Sequence, residues 1–144
     1  MSVRSYTKIW LHLIWGTHNR DKLLLEKSLR KELSTHLYKY SKEKGIYMKI
    51  NYVNSDHVHA IINLPTNFNI EEVIKLLKGN SSYWINKKLG FKFSWARGYA
   101  AFSVSESVLS KVEDYIKNQE EHHKKVSFAD EYELFLKKYN IQTG

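Results

Sequence analysis

The chain contains no cysteine among its 144 residues. This absence excludes a disulfide framework, a zinc site built on thiolates and a thiol nucleophile. It also fits the reducing cytoplasm, which is the location that we expect. Long apolar runs are missing too, because His12 interrupts the hydrophobic N-terminal stretch and no small-residue cleavage site follows it. We therefore expect neither a signal peptide nor a membrane span.

Acidic residues are absent from one long stretch of a basic chain. No Asp or Glu lies between positions 73 and 105, and the whole chain has a formal net charge of +8. Basic and aromatic residues are interleaved there: Lys75, Lys78, Lys87, Lys88, Lys92 and Arg97, with Tyr83, Trp84, Phe91, Phe93, Trp95, Tyr99 and Phe102. Basic groups bind phosphates, and aromatic rings can stack on unpaired bases. The pattern favours nucleic-acid binding over a surface that is basic only for solubility.

The order of the predicted elements indicates an α+β fold in a single domain, residues 1–144. Strands are predicted at 7–17, 47–54, 58–64 and 99–105, with a short one at 91–95. Helices are predicted at 24–44, from a capping box at 69–72 to about residue 85, at 107–123 and at 128–139. The order β-α-β-β-α-β is the split βαβ, ferredoxin-like plan that RNA-recognition domains share. Its antiparallel sheet carries helices on one face, with an added C-terminal helix, and leaves the other face to a ligand or a second subunit.

Two histidines lie one residue apart in SDHVHAIINLP, residues 55–65. Because side chains alternate along a strand, His57 and His59 point to one face and Val58 to the other. The pair could be two metal ligands, a nucleic-acid contact or two surface residues. A divalent metal would need a third ligand, and without cysteine that ligand is a carboxylate, an amide or another histidine. Asp56 could support a histidine from outside or stabilise the turn.

The predicted helix at 107–123 offers two further candidates. Tyr115 and Gln119 are four positions apart and therefore share one face of that helix. They could be a half-buried packing residue and a surface amide. Beside the histidine pair, the amide is a candidate third ligand and the tyrosine a candidate nucleophile, whose pKa of about 10 requires activation. His122 continues the same line, but neither it nor His123 is assigned as a ligand.

Four segments resemble one family, in the same order along the chain. HVH at 57–59 matches the histidine–hydrophobe–histidine signature of the HUH endonucleases. YIKNQEEHHKK at 115–125 is similar to the nucleophile helix of the single-tyrosine transposases of the insertion-sequence 200/605 type. LKGNSSYWINKKL at 77–89 and WARGYAAFSVSES at 95–107 resemble other segments of that family. Many relatives have a glutamine directly after the tryptophan of the second segment, where this chain has Ala96 followed by Arg97. The likeness runs from the first strand to about Tyr139.

The resemblance implies a transposase that cleaves and rejoins single-stranded DNA. Tyr115 would attack the scissile phosphate and form a 5′-phosphotyrosine link, and His57, His59 and Gln119 would hold Mg²⁺ or Mn²⁺. The resemblance also implies hairpins near the ends of the element and a homodimer, in which the tyrosine of one subunit can serve the histidines of the other. The residues expected to contact DNA are Arg20, Lys78, Ser81, Ser82, Lys87, Lys88 and Arg97.

Three alternatives remain at this point. The first is a domesticated relative, similar to the REP-associated tyrosine transposases, that acts on chromosomal hairpins. The second is a non-catalytic module that binds single-stranded nucleic acid, since RNA-recognition domains share the sheet plan and stack bases on its central strands. In this chain, however, the corresponding strand carries His57 and His59. The third is a metal-dependent hydrolase that activates water and forms no covalent adduct.

Overall fold

Four antiparallel strands form the centre of the fold. In the computed structural model, which describes residues 5–142, they are β1 (Trp10–Gly16), β2 (Tyr47–Val53), β3 (His57–Asn63) and β4 (Ala100–Val104). They lie side by side in the order β2-β3-β1-β4. The helices are α1 (Lys27–Glu43), α2 (Ile70–Leu89), α3 (Leu109–Lys117), α4 (Gln119–His122) and α5 (Phe128–Lys138). This arrangement confirms the predicted α+β, ferredoxin-like fold class.

One face of the sheet is covered by α1 and α2. The capping box predicted at the start of α2 is present: Asn69 accepts from the backbone N–H of Glu72, and the Glu72 carboxylate accepts from the backbone N–H of Asn69. The buried residues between the helices and the sheet are apolar and include Leu13, Trp15, Leu33, Leu37, Val58, Ile62, Leu77 and Ile85. These two helices therefore bury the largest part of the core.

The opposite face of the sheet is covered by the C-terminal helices of the same chain. Ile61 of β3 packs with Ile116 of α3, and Phe102 of β4 packs with Phe128 of α5. The face that the sequence pattern leaves to a ligand or a second subunit is thus occupied by α3 to α5. Because β1 and β3 are buried on both faces, any polar side chain on them needs a partner inside the protein.

The region 91–95 does not form the short strand predicted for it. Its contact with the sheet is an isolated bridge between Thr17 and Trp95. The backbone N–H and carbonyl of Phe93 are instead hydrogen-bonded to the side-chain amide of Asn86, at 2.6 and 3.1 Å. A backbone that is paired with a side chain in this way is not available for a sheet ladder.

The helix predicted at 107–123 is divided. It begins with a 3₁₀ turn at Glu106–Val108, and α3 and α4 are separated at Asn118. The side-chain amide of Gln119 lies 3.4 Å from the carbonyl of Tyr115, the acceptor that the backbone N–H of Gln119 would use in a continuous helix. Within residues 5–142, no helix has the length and the apolar character that crossing a membrane requires.

A buried histidine and carboxylate site beside Tyr115

The two histidines of β3 lie next to each other on the face that α3 to α5 cover. They are 1% and 0% exposed, and their ring centroids are 5.0 Å apart. Each ring is held at Nδ1: that of His57 lies 2.7 Å from Oδ1 of Asp56, and that of His59 lies 2.8 Å from Nε2 of His12. Both rings therefore present Nε2 to the interior of the site. Asp56 does contact a histidine side chain, which was one of its two expected roles.

Glu131 of α5 lies at the centre of this site and is 2% exposed. Its Oε1 is 3.0 Å from Nε2 of His59, 3.3 Å from Nε2 of His57 and 3.4 Å from Nε2 of His123. Its Oε2 accepts a hydrogen bond from the hydroxyl of Tyr115. Nε2 of His122 lies 3.1 Å from the same Oε2, so this one carboxylate contacts four imidazoles and the candidate nucleophile.

The charges of the site follow from these contacts. Burial alone would raise the pKa of Glu131, but its hydrogen bonds with His123, His57 and His59 outweigh burial and hold this pKa well below its usual range. Burial lowers the pKa of His59 to about 4, so this ring is neutral at neutral pH. Burial would also lower the pKa of His123, but the bond with Glu131 prevails and raises it. The Glu131 carboxylate is therefore ionised, and it places a negative charge inside the site.

Tyr115 is half-buried at the edge of the site. Besides its bond to Glu131, its hydroxyl lies 3.1 Å from Nε2 of His122. Burial, followed by the contact with the Glu131 carboxylate, raises the pKa of Tyr115 well above its ordinary value. The hydroxyl is therefore protonated in this arrangement, and a nucleophilic phenolate would require an additional positive charge nearby.

Gln119 is fully buried within the same group of side chains. Its Oε1 lies 2.8 Å from Nε2 of His123 and 3.3 Å from Nδ2 of Asn54. Its Nε2 lies 3.4 Å from Oε2 of Glu131. The structure therefore places all four residues of the proposed catalytic and metal-binding set together, in one chain.

Two residues of the site were not identified from the sequence. Glu131 was not singled out, and His123 was assigned no role. Glu131 follows Phe128 by three positions and precedes Phe135 by four, so it lies on the apolar stripe of α5. An acidic residue on an apolar stripe needs a partner in the core, and this was the signal that could have revealed it. His12, which interrupts the apolar β1, gives the same kind of signal.

A set of four residues has the chemistry of a metal site. Single ligand atoms of His57, His59, His123 and Glu131 all lie within 4.8 Å of one another. Imidazole nitrogen and carboxylate oxygen are common ligands of divalent cations such as Mn²⁺ and Zn²⁺. The residues present thus fit the divalent ion that the resemblance implies: His57 and His59 were expected as ligands, and His123 and Glu131 are additional to them.

Five of the residues predicted to contact DNA lie wholly or partly at the surface. Arg20, Lys87, Lys88 and Arg97 are exposed and Ser82 is half-buried. Lys88 lies 3.7 Å from Glu32, and Lys87 lies over the ring of Tyr83. These contacts leave the cationic groups close to solvent.

Ser81 and Lys78 are engaged inside the fold. Ser81, which was predicted to contact DNA, is fully buried here, and its hydroxyl accepts a hydrogen bond of 2.9 Å from the indole N–H of Trp95. Lys78 is partly buried, and its ammonium group donates to the three consecutive carbonyls of residues 96–98, at 2.6, 3.0 and 3.3 Å. Lys78 therefore anchors the loop that presents Arg97.

An apolar groove of about 530 Å³ opens onto the site beside α3 and α5. Tyr115, His122 and Glu131 line one part of it, and Lys111 and Lys138 add two basic side chains. Its apolar lining comes from Val104, Val108, Val112, Leu134, Phe135 and Tyr139. The groove gives the hydroxyl of Tyr115 a connection to solvent.

Comparisons with known proteins identify one family. The family model described as "Transposase IS200 like" matches residues 5–119. The transposases for insertion sequence element IS200 from Salmonella typhimurium (strain LT2) and Salmonella typhi are each 32% identical to the chain over 77 residues. That match covers 49% of this chain and 50% of each relative, so the chain spans about half the length of the curated relatives it matches.

Two solved structures share the fold. A putative transposase from Deinococcus radiodurans R1 is similar with a TM-score of 0.65 and 25% identity, over 83% of this chain and 97% of that one. A REP-associated tyrosine transposase bound to a REP hairpin is similar with a TM-score of 0.62 and 19% identity, over 88% of this chain and 75% of the other. At that identity, the second likeness concerns the fold alone.

Proposed function

The chain belongs to the IS200-like transposase family, and from this premise we propose that it cleaves and rejoins single-stranded DNA through a covalent link to Tyr115. One observation carries the proposal. The hydroxyl of Tyr115, a hydrogen-bond donor to Glu131, lies in the same buried group of side chains as His57, His59 and Gln119. A nucleophile and metal-binding groups within reach of one phosphate are what this reaction requires.

In the proposed reaction, the phenolic oxygen of Tyr115 forms a bond to the scissile phosphorus. The bond from phosphorus to the 3′-oxygen of the preceding nucleotide breaks, the phenolic proton is released to solvent, and the departing 3′-oxygen takes up a proton from solvent. The products are a 5′-phosphotyrosine link and a free 3′-hydroxyl on the cut strand. Because the phosphodiester is exchanged and not hydrolysed, a 3′-hydroxyl from another DNA end can reverse the step without ATP.

The ion in this proposal is Mg²⁺ or Mn²⁺, held by His57, His59 and Gln119. A divalent cation bound there would supply positive charge that polarises the scissile phosphate and favours ionisation of a nearby hydroxyl. The arrangement of the two imidazoles supports this role, because both present Nε2 to the same interior space. Burial and the Glu131 carboxylate raise the pKa of the Tyr115 hydroxyl, and the cation would oppose this effect by favouring the phenolate.

Single-stranded DNA with hairpins is the proposed partner. The groove beside α3 and α5 supports access of an extended strand to Tyr115, and Lys111 and Lys138 supply charge for its phosphates. Arg20, Lys87, Lys88, Arg97 and Ser82 are retained as proposed DNA contacts. We also propose a homodimer, in which the segment from α3 to α5 docks on its own sheet, as here, or on that of the partner.

Trapping of the covalent intermediate tests the proposal. The protein is incubated with hairpin DNA from its own genomic neighbourhood and Mn²⁺, and protein–DNA adducts are detected on a denaturing gel. Wild type should give an adduct and Tyr115→Phe none. Tyr52→Phe is the matched control, because Tyr52 packs in the same hydrophobic cluster as Tyr115. His57→Ala and His59→Ala should abolish cleavage while DNA affinity remains, since affinity depends mainly on phosphate contacts.

Two other outcomes would reject the proposal in different ways. Cleavage that persists in Tyr115→Phe would indicate hydrolysis by water. Binding of the hairpin without cleavage by wild type would favour a non-catalytic module for single-stranded nucleic acid.

A further inference from the structure

The group of metal-binding side chains extends beyond the part of the chain that matches the family model. That match ends at residue 119, whereas His123 and Glu131 follow it and place ligand atoms within 4.8 Å of those of His57 and His59. We propose that His123 and Glu131 are metal ligands, so that the chain binds a divalent ion through all four side chains before DNA arrives. This inference rests on the divalent ion of the proposed function, and it adds His123 and the anionic Glu131 to the ligands His57, His59 and Gln119 proposed there.

The first argument is how two of the imidazoles are held. Nδ1 of His57 lies 2.7 Å from the carboxylate of Asp56, and Nδ1 of His123 lies 2.7 Å from the backbone carbonyl of Val126. Carboxylate and carbonyl oxygens only accept hydrogen bonds, so each Nδ1 carries a proton. In a neutral ring, Nε2 is then an unprotonated lone pair. Metal-ligating histidines are typically fixed through their other ring nitrogen in this way.

The third imidazole has an equivalent outer partner. Nδ1 of His59 lies 2.8 Å from Nε2 of His12, which is itself 1% exposed. If His59 donates from Nδ1, His12 accepts and Nε2 of His59 is free for a metal. Three separate elements, the β2–β3 turn, β1 and the segment after α4, thus supply the outer contacts that orient three Nε2 atoms inward.

The second argument is that lone pairs converge on one place. Oε1 of Glu131 lies 3.3 Å from Nε2 of His57 and 3.4 Å from Nε2 of His123, and Oε1 of Gln119 lies 2.8 Å from the latter. When the rings are neutral, each of these contacts joins two acceptors and needs a positive charge between them: a ring proton supplies it in the metal-free chain, and a divalent ion would take the place of that proton. In a tetrahedral site with metal–nitrogen distances of about 2.1 Å, neighbouring ligand atoms lie about 3.4 Å apart. The distances of 3.3 and 3.4 Å from Oε1 of Glu131 to the two Nε2 atoms are close to that value, and all four ligand atoms lie within 4.8 Å of one another.

The third argument is that a packed helix, and not a free tail, carries the carboxylate. Ser127 caps the start of α5 by accepting from the backbone N–H of Asp130. One turn before Glu131, the ring of Phe128 stacks on that of His57, with centroids 3.9 Å apart. Binding of the metal therefore does not have to order Glu131 first, which lowers the entropic cost of binding.

An anionic ligand has a consequence for the order of binding. A site of two imidazoles and one amide adds no negative charge and relies on phosphate oxygens of the DNA to complete its shell. The Glu131 carboxylate supplies that charge within the protein. The DNA-free chain should therefore bind Mn²⁺ measurably.

Calorimetric titration of Mn²⁺ into the DNA-free, metal-stripped full chain tests the inference. Glu131→Gln, which keeps the shape of the side chain and removes its charge, should weaken binding at least tenfold, and so should His123→Ala. Glu133→Gln is the matched control, since Glu133 is an exposed carboxylate on the same helix, and its affinity should stay within twofold of wild type. Circular dichroism and thermal unfolding verify that each variant folds.

Unchanged Mn²⁺ affinity in folded Glu131→Gln, or no Mn²⁺ binding by DNA-free wild type, would overturn the assignment. If Glu131→Gln does not fold, the Mn²⁺ affinity of His123→Ala tests the assignment instead. His123 is only half-buried, so its replacement is less disruptive to folding. The result is independent of the adduct assay. If wild type forms the adduct but Glu131→Gln keeps its Mn²⁺ affinity, only the assignment of these ligands is rejected. If Mn²⁺ binds through Glu131 but wild type forms no adduct, only the proposed function is rejected.

Discussion

The phenyl ring of Phe128 lies flat on the imidazole of His57, with ring centroids 3.9 Å apart and planes 3° from parallel. Gly16, which faces His57 in the β1–β3 ladder, makes this contact possible. A Cβ atom at Gly16 would lie 2.7 Å from Cε2 of Phe128. The close approach of these three residues holds α5 on the sheet and brings Glu131 into the site.

Gly16→Ala should therefore destabilise the protein. Overpacking of a buried contact typically costs about 1–3 kcal/mol, and here it would push α5 away from the sheet. Gly79→Ala is the matched control, because nothing lies within 4 Å of a Cβ at this position in α2. That change should stabilise the helix by roughly 0.5–1 kcal/mol. Urea unfolding measures both free energies, and a Gly16→Ala variant as stable as wild type would contradict the account of α5 docking.

The metal-free protein should lose stability as the pH falls below 6.5. The pKa of His59 is about 4 in the folded chain, against 6.5 when unperturbed. Between pH 6.5 and 4 the unfolded chain binds a proton at this histidine more readily than the folded chain does, and this proton binding favours unfolding. The contribution of neutral His59 to the free energy of unfolding is therefore complete above pH 6.5 and is lost as the pH approaches 4. For this buried group the loss is about 3 kcal/mol over the window. The pKa of His12, lowered mainly by burial, adds a loss of the same sign, and the raised pKa of His123 opposes part of it.

Urea unfolding in EDTA at several pH values between 8 and 5 measures this dependence. His59→Gln removes the titrating group and should flatten the profile, although its stability at pH 8 will be lower. His18→Gln, at an exposed histidine, should retain the wild-type slope. A wild-type profile without a slope between pH 6.5 and 5 would show that His59 is not held neutral by burial.

Lys78→Met should destabilise the loop at residues 96–98. The ammonium group of Lys78 donates to three carbonyls of this loop, and loss of a charged donor from partly buried acceptors costs about 1–3 kcal/mol. Lys87→Met, at an exposed residue of the same helix, should stay within about 0.5 kcal/mol of wild type. Thermal unfolding reports the stability, and limited proteolysis reports opening of the loop. Equal effects of the two changes would refute the anchoring role.

Arg97→Ala should reduce the salt dependence of DNA binding. If the exposed Arg97 contacts one phosphate of a single strand, the slope of log K against log salt should shrink by about 0.7. Ser81→Ala should leave the slope unchanged, because Ser81 is fully buried. Fluorescence anisotropy with labelled hairpin DNA in EDTA gives both slopes across a range of salt concentrations. An unchanged slope for Arg97→Ala would remove this residue from the DNA contacts.

Several parts of the fold could be predicted because they depend on neighbours in the chain. The alternation of β3 placed His57 and His59 on one face, and the four-residue spacing placed Tyr115 beside Gln119. The capping box at Asn69 is likewise a local interaction. The strand expected at 91–95 failed because the Asn86 side chain, seven positions before Phe93, occupies the backbone groups that a ladder would need.

The sequence by itself determined which residue types were available for chemistry, since it contains no thiol and offers histidines, a tyrosine and an amide in periodic patterns. Only the tertiary structure decided which of them meet. His59 and Glu131 are 72 positions apart, and their 3.0 Å contact depends on how α5 packs on the sheet. The burial of Ser81 also depends on packing. Periodicity sets the face on which a side chain lies, but the distance between two faces is set by the packing of whole elements.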